Sequence, residues 1–314
     1  MEAAAPSAGR RAGAGAVLGL LGFLVLAPPA FVLGPLAALL ALSKPGTWRE
    51  RVWLGMAVAL TVFWLASPGD LPHQVIRAAG MGLAGATLAV VISGRPIKGF
   101  RAAITATMAA VFGTVTWGAI LGIDFEAFRT AVESDLKAGY QQLFGPSGDA
   151  GVPEETERLL TSLSESAGSM AALYPGLLTV LAAGGVLLAW SWTHRIAERP
   201  VGLAMGPFRG FRFNDHVIWG AIFTLALAIA PVGQGVKLLA ANLLVVWVAL
   251  YLARGLAVVV KLVAGSPLPV RVVSVVFGLL LQPFSSGALL AVGLADTWLD
   301  FRRRPPPAPG GRAP

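Results

Sequence analysis

The sequence predicts an all-α protein, a polytopic bundle of about eight membrane-crossing helices carrying a small helical insert outside the membrane. Three observations carry that prediction. Hydrophobic residues make up 56% of the 314 and charged residues only 13%, about half the charged share of a soluble domain. The apolar residues fall into runs of roughly 20, the length a helix needs to cross a hydrocarbon core. Many of the 38 glycines lie inside these runs, where small residues let membrane helices approach closely.

The first run, 12–42, follows Arg10 and Arg11. That start resembles the charged region of a signal peptide, but the run continues too far and more follow, so it reads as a retained first span. Pro28-Pro29 removes two backbone donors in its middle, giving either one long kinked helix or a pair of half-helices. The further runs are 52–66, 75–93, 102–123, 171–192, 216–233, 236–263 and 270–295. Backbone groups in lipid must be satisfied internally, and the runs lack the ~10-residue alternation of a membrane barrel, so each is read as a helix. Gln282-Pro283 places a kink or break in the last.

Between 123 and 170 the pattern changes. Nine of the sixteen carboxylates lie there: Asp124, Glu126, Glu133, Asp135, Asp149, Glu154, Glu155, Glu157 and Glu165. Phe125, Phe128, Val132, Leu136 and Leu143 recur at helical spacing and predict an amphipathic helix over about 125–143. Gly145-Pro146-Ser147-Gly148 then breaks the chain, and Pro153 opens a second helix with Glu154, Glu155 and Glu157 at its positive end. The chain thus divides into a single membrane domain, 1–314, an acidic helical insert, 124–169, and a disordered Pro/Gly-rich tail, 305–314.

The net charge of +8 comes in short clusters between the runs. Lys44, Arg49 and Arg51, then Arg95, Lys98 and Arg101, then Arg195, Arg199, Arg209 and Arg212 mark cytoplasmic loops, which leaves 124–169 outside. The Arg302, Arg303 and Arg304 tail breaks this rule unless the last run is re-entrant or split. The basic clusters fit anionic lipid and not nucleic acid, since no basic helix with interleaved aromatics occurs. The expected location is the bacterial inner membrane, multi-pass.

Catalytic signals are missing. The absence of cysteine excludes disulfides, thiolate metal sites and cysteine nucleophiles. There is no phosphate-binding loop and no paired-histidine zinc helix. Gly80-Met81-Gly82-Leu83-Ala84-Gly85 fits a dinucleotide fingerprint but sits inside an apolar helix, where helix packing explains it. His73, His194 and His216 share no helical face at ligand spacing. The expectation is therefore no catalytic residue, no metal and no cofactor.

The polar candidates lie in the last third. Arg254 and Asn242 fall within the apolar run 236–263, and an ionisable residue at membrane depth is a functional candidate by default. Alternatively Arg254 snorkels at the interface, since the run is longer than a bilayer core. If Arg254 faces inward it needs an oxygen partner. Asp215, at the start of the antiparallel preceding span, is on the same side; Asp296 falls opposite unless the last run is re-entrant. Gln282 completes the polar-core set with Asn242, Arg254 and Asp215. Arg209, Arg212, Asp296, Asp300 and Arg302 are candidates for lipid or partner contact, with Asn214 or Asp215 capping the following helix. Asp296 and Asp300, four apart, read as an ion-paired helix end beside Trp298.

Three stretches together resemble the YybS-like family of uncharacterised bacterial membrane proteins. They are Phe211-Arg212-Phe213-Asn214-Asp215-His216 ahead of Trp219-Gly220; Asn242-Leu243-Leu244 through Tyr251 to Arg254-Gly255-Leu256-Ala257-Val258; and Gly293-Leu294-Ala295-Asp296-Thr297-Trp298-Leu299-Asp300-Phe301-Arg302. That family is similar in fold to the S components of energy-coupling-factor transporters and to the rod-shape protein MreD. The resemblance implies a membrane-embedded small-solute binding or transport subunit without its own ATPase, acting with a separate transport motor. The alternative it implies is an envelope scaffold of MreD type, acting through protein contacts within an envelope complex.

Overall fold

A computed structural model describes residues 22–23, 27–93, 98–144, 154–299 and 301. The expected tail, 305–314, and the candidates Asp300 and Arg302 lie outside the described residues. These residues are helical throughout apart from turns and one isolated bridge, Lys98 to Leu203. The chain divides into two compact units, Met1–Met205 and Gly206–Pro314.

The first unit holds α1 (Ala30–Leu42), α2 (Trp48–Ala66), α3 (Leu71–Ile92), α4 (Gly99–Ile120), α5 (Phe125–Phe144) and α6 (Glu154–Ile196). The helix starts afresh at Ala30, directly after Pro28-Pro29, because neither proline can supply the backbone donor a continuous helix requires. Short as it is, α1 is the core of the unit. Phe31, Val32, Leu36, Leu39 and Leu40 are all buried, and α2, α3 and α6 pack around it. Glycine sets the spacing. A Cβ on Gly185 of α6 would overlap the backbone of Phe31, and one on Gly80 of α3 would lie 2.9 Å from Ala30 Cβ. Two glycines of the 80–85 stretch are thus packing surface, Gly80 against Ala30 and Gly82 against Ala110 of α4, while Gly85 faces open space.

Caps fix the helix starts. The Thr47 hydroxyl accepts from the Glu50 backbone N–H, while the Glu50 carboxylate accepts from Thr47 N, a reciprocal box that begins α2. The Asp70 carboxylate accepts from His73 N at the start of α3. In the insert, α5 buries Phe128 and Val132 against Ala171 of α6, with Val75 of α3, Leu136 and Tyr174 around them. The second insert helix does not stop before the membrane run, as the sequence reading expected. It continues into that run as the 43-residue α6, passing through Pro175.

The second unit begins with 3-10 turns at Phe208–Gly210 and Asp215–Val217 and continues through α7 (Ile218–Ile229), α8 (Gln234–Val263), α9 (Leu268–Leu280) and α10 (Gln282–Leu299). The α7 and α8 helices form a hairpin in which Trp247 Nε1 donates to Thr224 Oγ1 at 3.1 Å and the Trp247 ring covers Gly220. The expected last span is broken: α9 and α10 meet at 110°. Against α8, α10 comes into backbone contact. A Cβ on Gly255 would overlap the Leu289 carbonyl, and one on Gly293 would overlap that of Tyr251.

Four helices are long and apolar enough to cross a membrane, α3, α4, α6 and α8, and the bent pair α9–α10 is either one broken span, which would make five, or a re-entrant loop. The expected count of about eight is therefore not reached among the described residues. The reasons are local. Prolines cut α1 to 13 residues and end α7 after 12, about 20 and 18 Å against a ~30 Å core. Arg49, Glu50 and Arg51 take up the first turn of α2.

Candidate functional site

Arg254 is the most demanding residue of the second unit, because its charged side chain is completely buried. A helical side chain leans toward the N-terminus of its helix, so Arg254 lies back along α8 toward Tyr251. There its Nε donates to Asp296 Oδ2 at 2.8 Å and Nη2 donates to the Asp296 carbonyl at 2.9 Å. Its Nη1 stands 2.7 Å from Asp215 Oδ1. The Phe213 ring lies 5.3 Å from the guanidinium carbon, and Tyr251 meets that ring edge-on.

Each partner is placed by its own element. The side chain of Asn214 accepts from His216 N at 3.0 Å and caps the short turn, so Asp215 is not used as the cap and reaches Arg254. Asp296 is delivered by α10, whose close crossing at Gly293 lets both its carboxylate and its carbonyl meet the guanidinium. Charge alternates along the set. Arg212 Nη2 approaches Asp215 Oδ2 at 3.5 Å from the exposed side, so Arg212, Asp215, Arg254 and Asp296 sum to zero. Burial of Arg254 is tolerable only in such company, since an unpaired ion costs several kcal/mol to desolvate.

Four of the sequence candidates, Arg212, Asp215, Arg254 and Asp296, are thus brought together. Others are not. Asn242 lies twelve residues before Arg254 on α8, about 18 Å along the axis, and donates to Leu238 O of its own helix. Gln282 is exposed at the start of α10 and bonds Ser286 at 3.3 Å. Arg209 is exposed in the Phe208–Gly210 turn. That turn leads on through contacting rings, Phe208 stacked on Phe211 and Phe211 edge-on to Phe213.

Two clusters in the first unit escaped sequence reasoning. Glu50 is buried, and its Oε1 accepts from Glu198 N at 2.7 Å while Oε2 accepts from Gly46 N and Thr47 N at 2.9 Å. The backbone donors at Thr47 and Glu198 pull its carboxyl down from 4.5 to about 2. The Thr-x-x-Glu spacing of Thr47 and Glu50 is the one sequence signal that could have marked the cap; the tie from α2 to the chain after α6 has none. At the other cluster, Asp70 and His73 at the head of α3 meet Asp135 of α5, with one ligand atom from each all within 4.8 Å of one another. Hydrogen bonding to His73 lowers the Asp70 carboxyl, while burial and the Asp70 charge raise that of Asp135. These are residues that could hold a cation. Only the folding of the insert onto α3 joins them, and nothing in the sequence spacing signals it.

The profile of a family described as "predicted membrane protein" (DUF2232) matches residues 14–297. No curated protein and no solved structure matches the chain.

Proposed function

The chain belongs to this family of predicted membrane proteins, and from that premise we propose that it is a non-catalytic, multi-pass scaffold of the bacterial inner membrane, of the MreD type. Its Arg254 network braces a basic aromatic loop that engages a protein of the cell envelope. The observation that carries this reading is the internal pairing of Arg254. Two carboxylates and a carbonyl occupy the fully buried guanidinium, so a solute would have to displace an internal ion pair to reach it. Asn242 and Gln282, which a solute pocket would need to converge on Arg254, have partners elsewhere. The braced loop instead offers an exposed Phe208 and Arg209, the residue types favoured where proteins meet.

One observation favours a second reading, the S-component-like transport subunit. The 110° break before Gln282 is the kind of interruption that lines binding sites in transporters. A photo-crosslinking amino acid at position 208 in living cells separates the two. The scaffold reading expects a discrete protein adduct, lost when Arg254 is replaced by leucine. Absence of any adduct, together with a melting-temperature rise of the purified protein on adding a vitamin-sized solute, would favour transport.

A further inference from the structure

We propose that Asp70, His73 and Asp135 form a binding site for a divalent first-row transition cation of the zinc type, clamping the acidic insert onto the head of α3. This inference is independent of the scaffold reading and concerns the first unit alone. The donor set is one imidazole and two carboxylates drawn from two helices, with donor atoms from all three within 4.8 Å of one another. Such a mixed nitrogen and oxygen set suits zinc or manganese, whereas calcium and magnesium prefer all-oxygen sites and copper(I) prefers sulfur.

Charge balance across the insert points the same way. On α5, Glu126 pairs with Arg129, and Glu133 pairs with Lys137 at 2.7 Å. Asp135 meets no lysine or arginine among the described residues. A carboxylate oxygen of Asp135 lies within 4.8 Å of one from Asp70, whose own partner is His73 Nδ1 at 2.6 Å. The neighbouring Arg77 is engaged with the Ser67 carbonyl and hydroxyl and leaves the pair unneutralised. Two facing carboxylates beside one imidazole form a charge deficit that a dication fills. Binding would take the His73 Nδ1 lone pair, with the ring proton on Nε2, and would replace the contact between that nitrogen and Asp70 by two bonds to the ion. The three donors leave at least one coordination position to water.

Chelator-stripped full-length protein in detergent, titrated with Zn2+ by calorimetry, tests the site. The chain has no cysteine and only three histidines, so background binding is low. One Zn2+ per chain is expected. His73→Ala and Asp135→Asn should each weaken it at least ~10-fold, and His216→Ala should leave it unchanged. Cobalt gives a second readout. The wild type should show visible absorption bands of a nitrogen–oxygen site, and Asp135→Asn should lose them while retaining the wild-type elution volume. No Zn2+ uptake by the wild type, or equal affinity in the His73 and Asp135 variants, would overturn the proposal.

Discussion

At the scale of single residues, removing one member of a buried charge set costs more than the set is worth, because the survivor stays desolvated. Arg254→Leu would remove from the buried Asp296 carboxylate the guanidinium that meets it at 2.8 Å. We expect a loss of about 3–5 kcal/mol, seen as a large fall in melting temperature in detergent. Replacing Arg254 and Asp296 together by leucine should restore part of it. Lys261→Leu, at an exposed position of the same helix, should cost no more than about 1 kcal/mol, as a solvent-screened contact does; equal sensitivity at 254 and 261 would refute the role given to the network. Glu50 gives a prediction in pH. Its carboxyl titrates near 2 in the fold against 4.5 for the free group, so its stabilising effect is complete above about 4.5 and disappears as pH falls toward 2. The wild type should therefore melt well above Glu50→Gln at pH 7, and the gap should narrow steadily below pH 4.5 and close only as pH approaches 2. An undiminished gap in acid would show that Glu50 is not the group responsible. Arg254 was legible in the sequence because an ion within an apolar run needs an oxygen partner, and Asp215 because adjacent spans run antiparallel. Glu50 and Asp135 were not, since each depends on a distant helix docking.

At the scale of elements, glycine decides where helices touch. The α8–α10 crossing has backbone on backbone at Gly255 and Gly293, whereas Gly287, on the same α10, faces open space. Gly293→Ala should force the helices apart and cost about 1–3 kcal/mol, with Arg254 losing its hold on the Asp296 carbonyl. Gly287→Ala should be neutral or raise the melting temperature slightly, since alanine favours a helix by up to ~1 kcal/mol. Similar melting temperatures for the two variants would argue against the crossing. The sequence announced this element imperfectly. Gln282-Pro283 marked a disturbance in the last run, and the break falls directly before it. The 43-residue α6 went unrecognised because its Ser- and Gly-rich stretch around Ser164–Ser169 masks the continuity that packing against α5 supplies.

At the scale of the whole molecule, the bundle class follows from apolar run length alone, while the number of crossings depends on where prolines end helices. The Arg254 contacts bear on sidedness. Asp296, near the end of α10, meets the same guanidinium as Asp215, so the chain end beyond α10 should share a side with the loop before α7. On that assignment the Arg302–Arg304 sequence would accord with the positive-inside rule. Single cysteines in this cysteine-free chain test it with a membrane-impermeant thiol reagent on spheroplasts. Ser134→Cys in the insert should label in intact cells, while Arg209→Cys and Phe301→Cys should label only after lysis. Early labelling at 301 would defeat the shared-side assignment. The burial of α1 has a further consequence, in time. Phe31 meets Gly185 of α6, which is synthesised 154 residues later. At roughly 5–20 residues per second that is an interval of about 8–30 s. Throughout it, one face of the first helix waits without its final neighbour. Nascent chains arrested before residue 185 should therefore hold α1 beside the insertion machinery, and chains extended past α6 should release it.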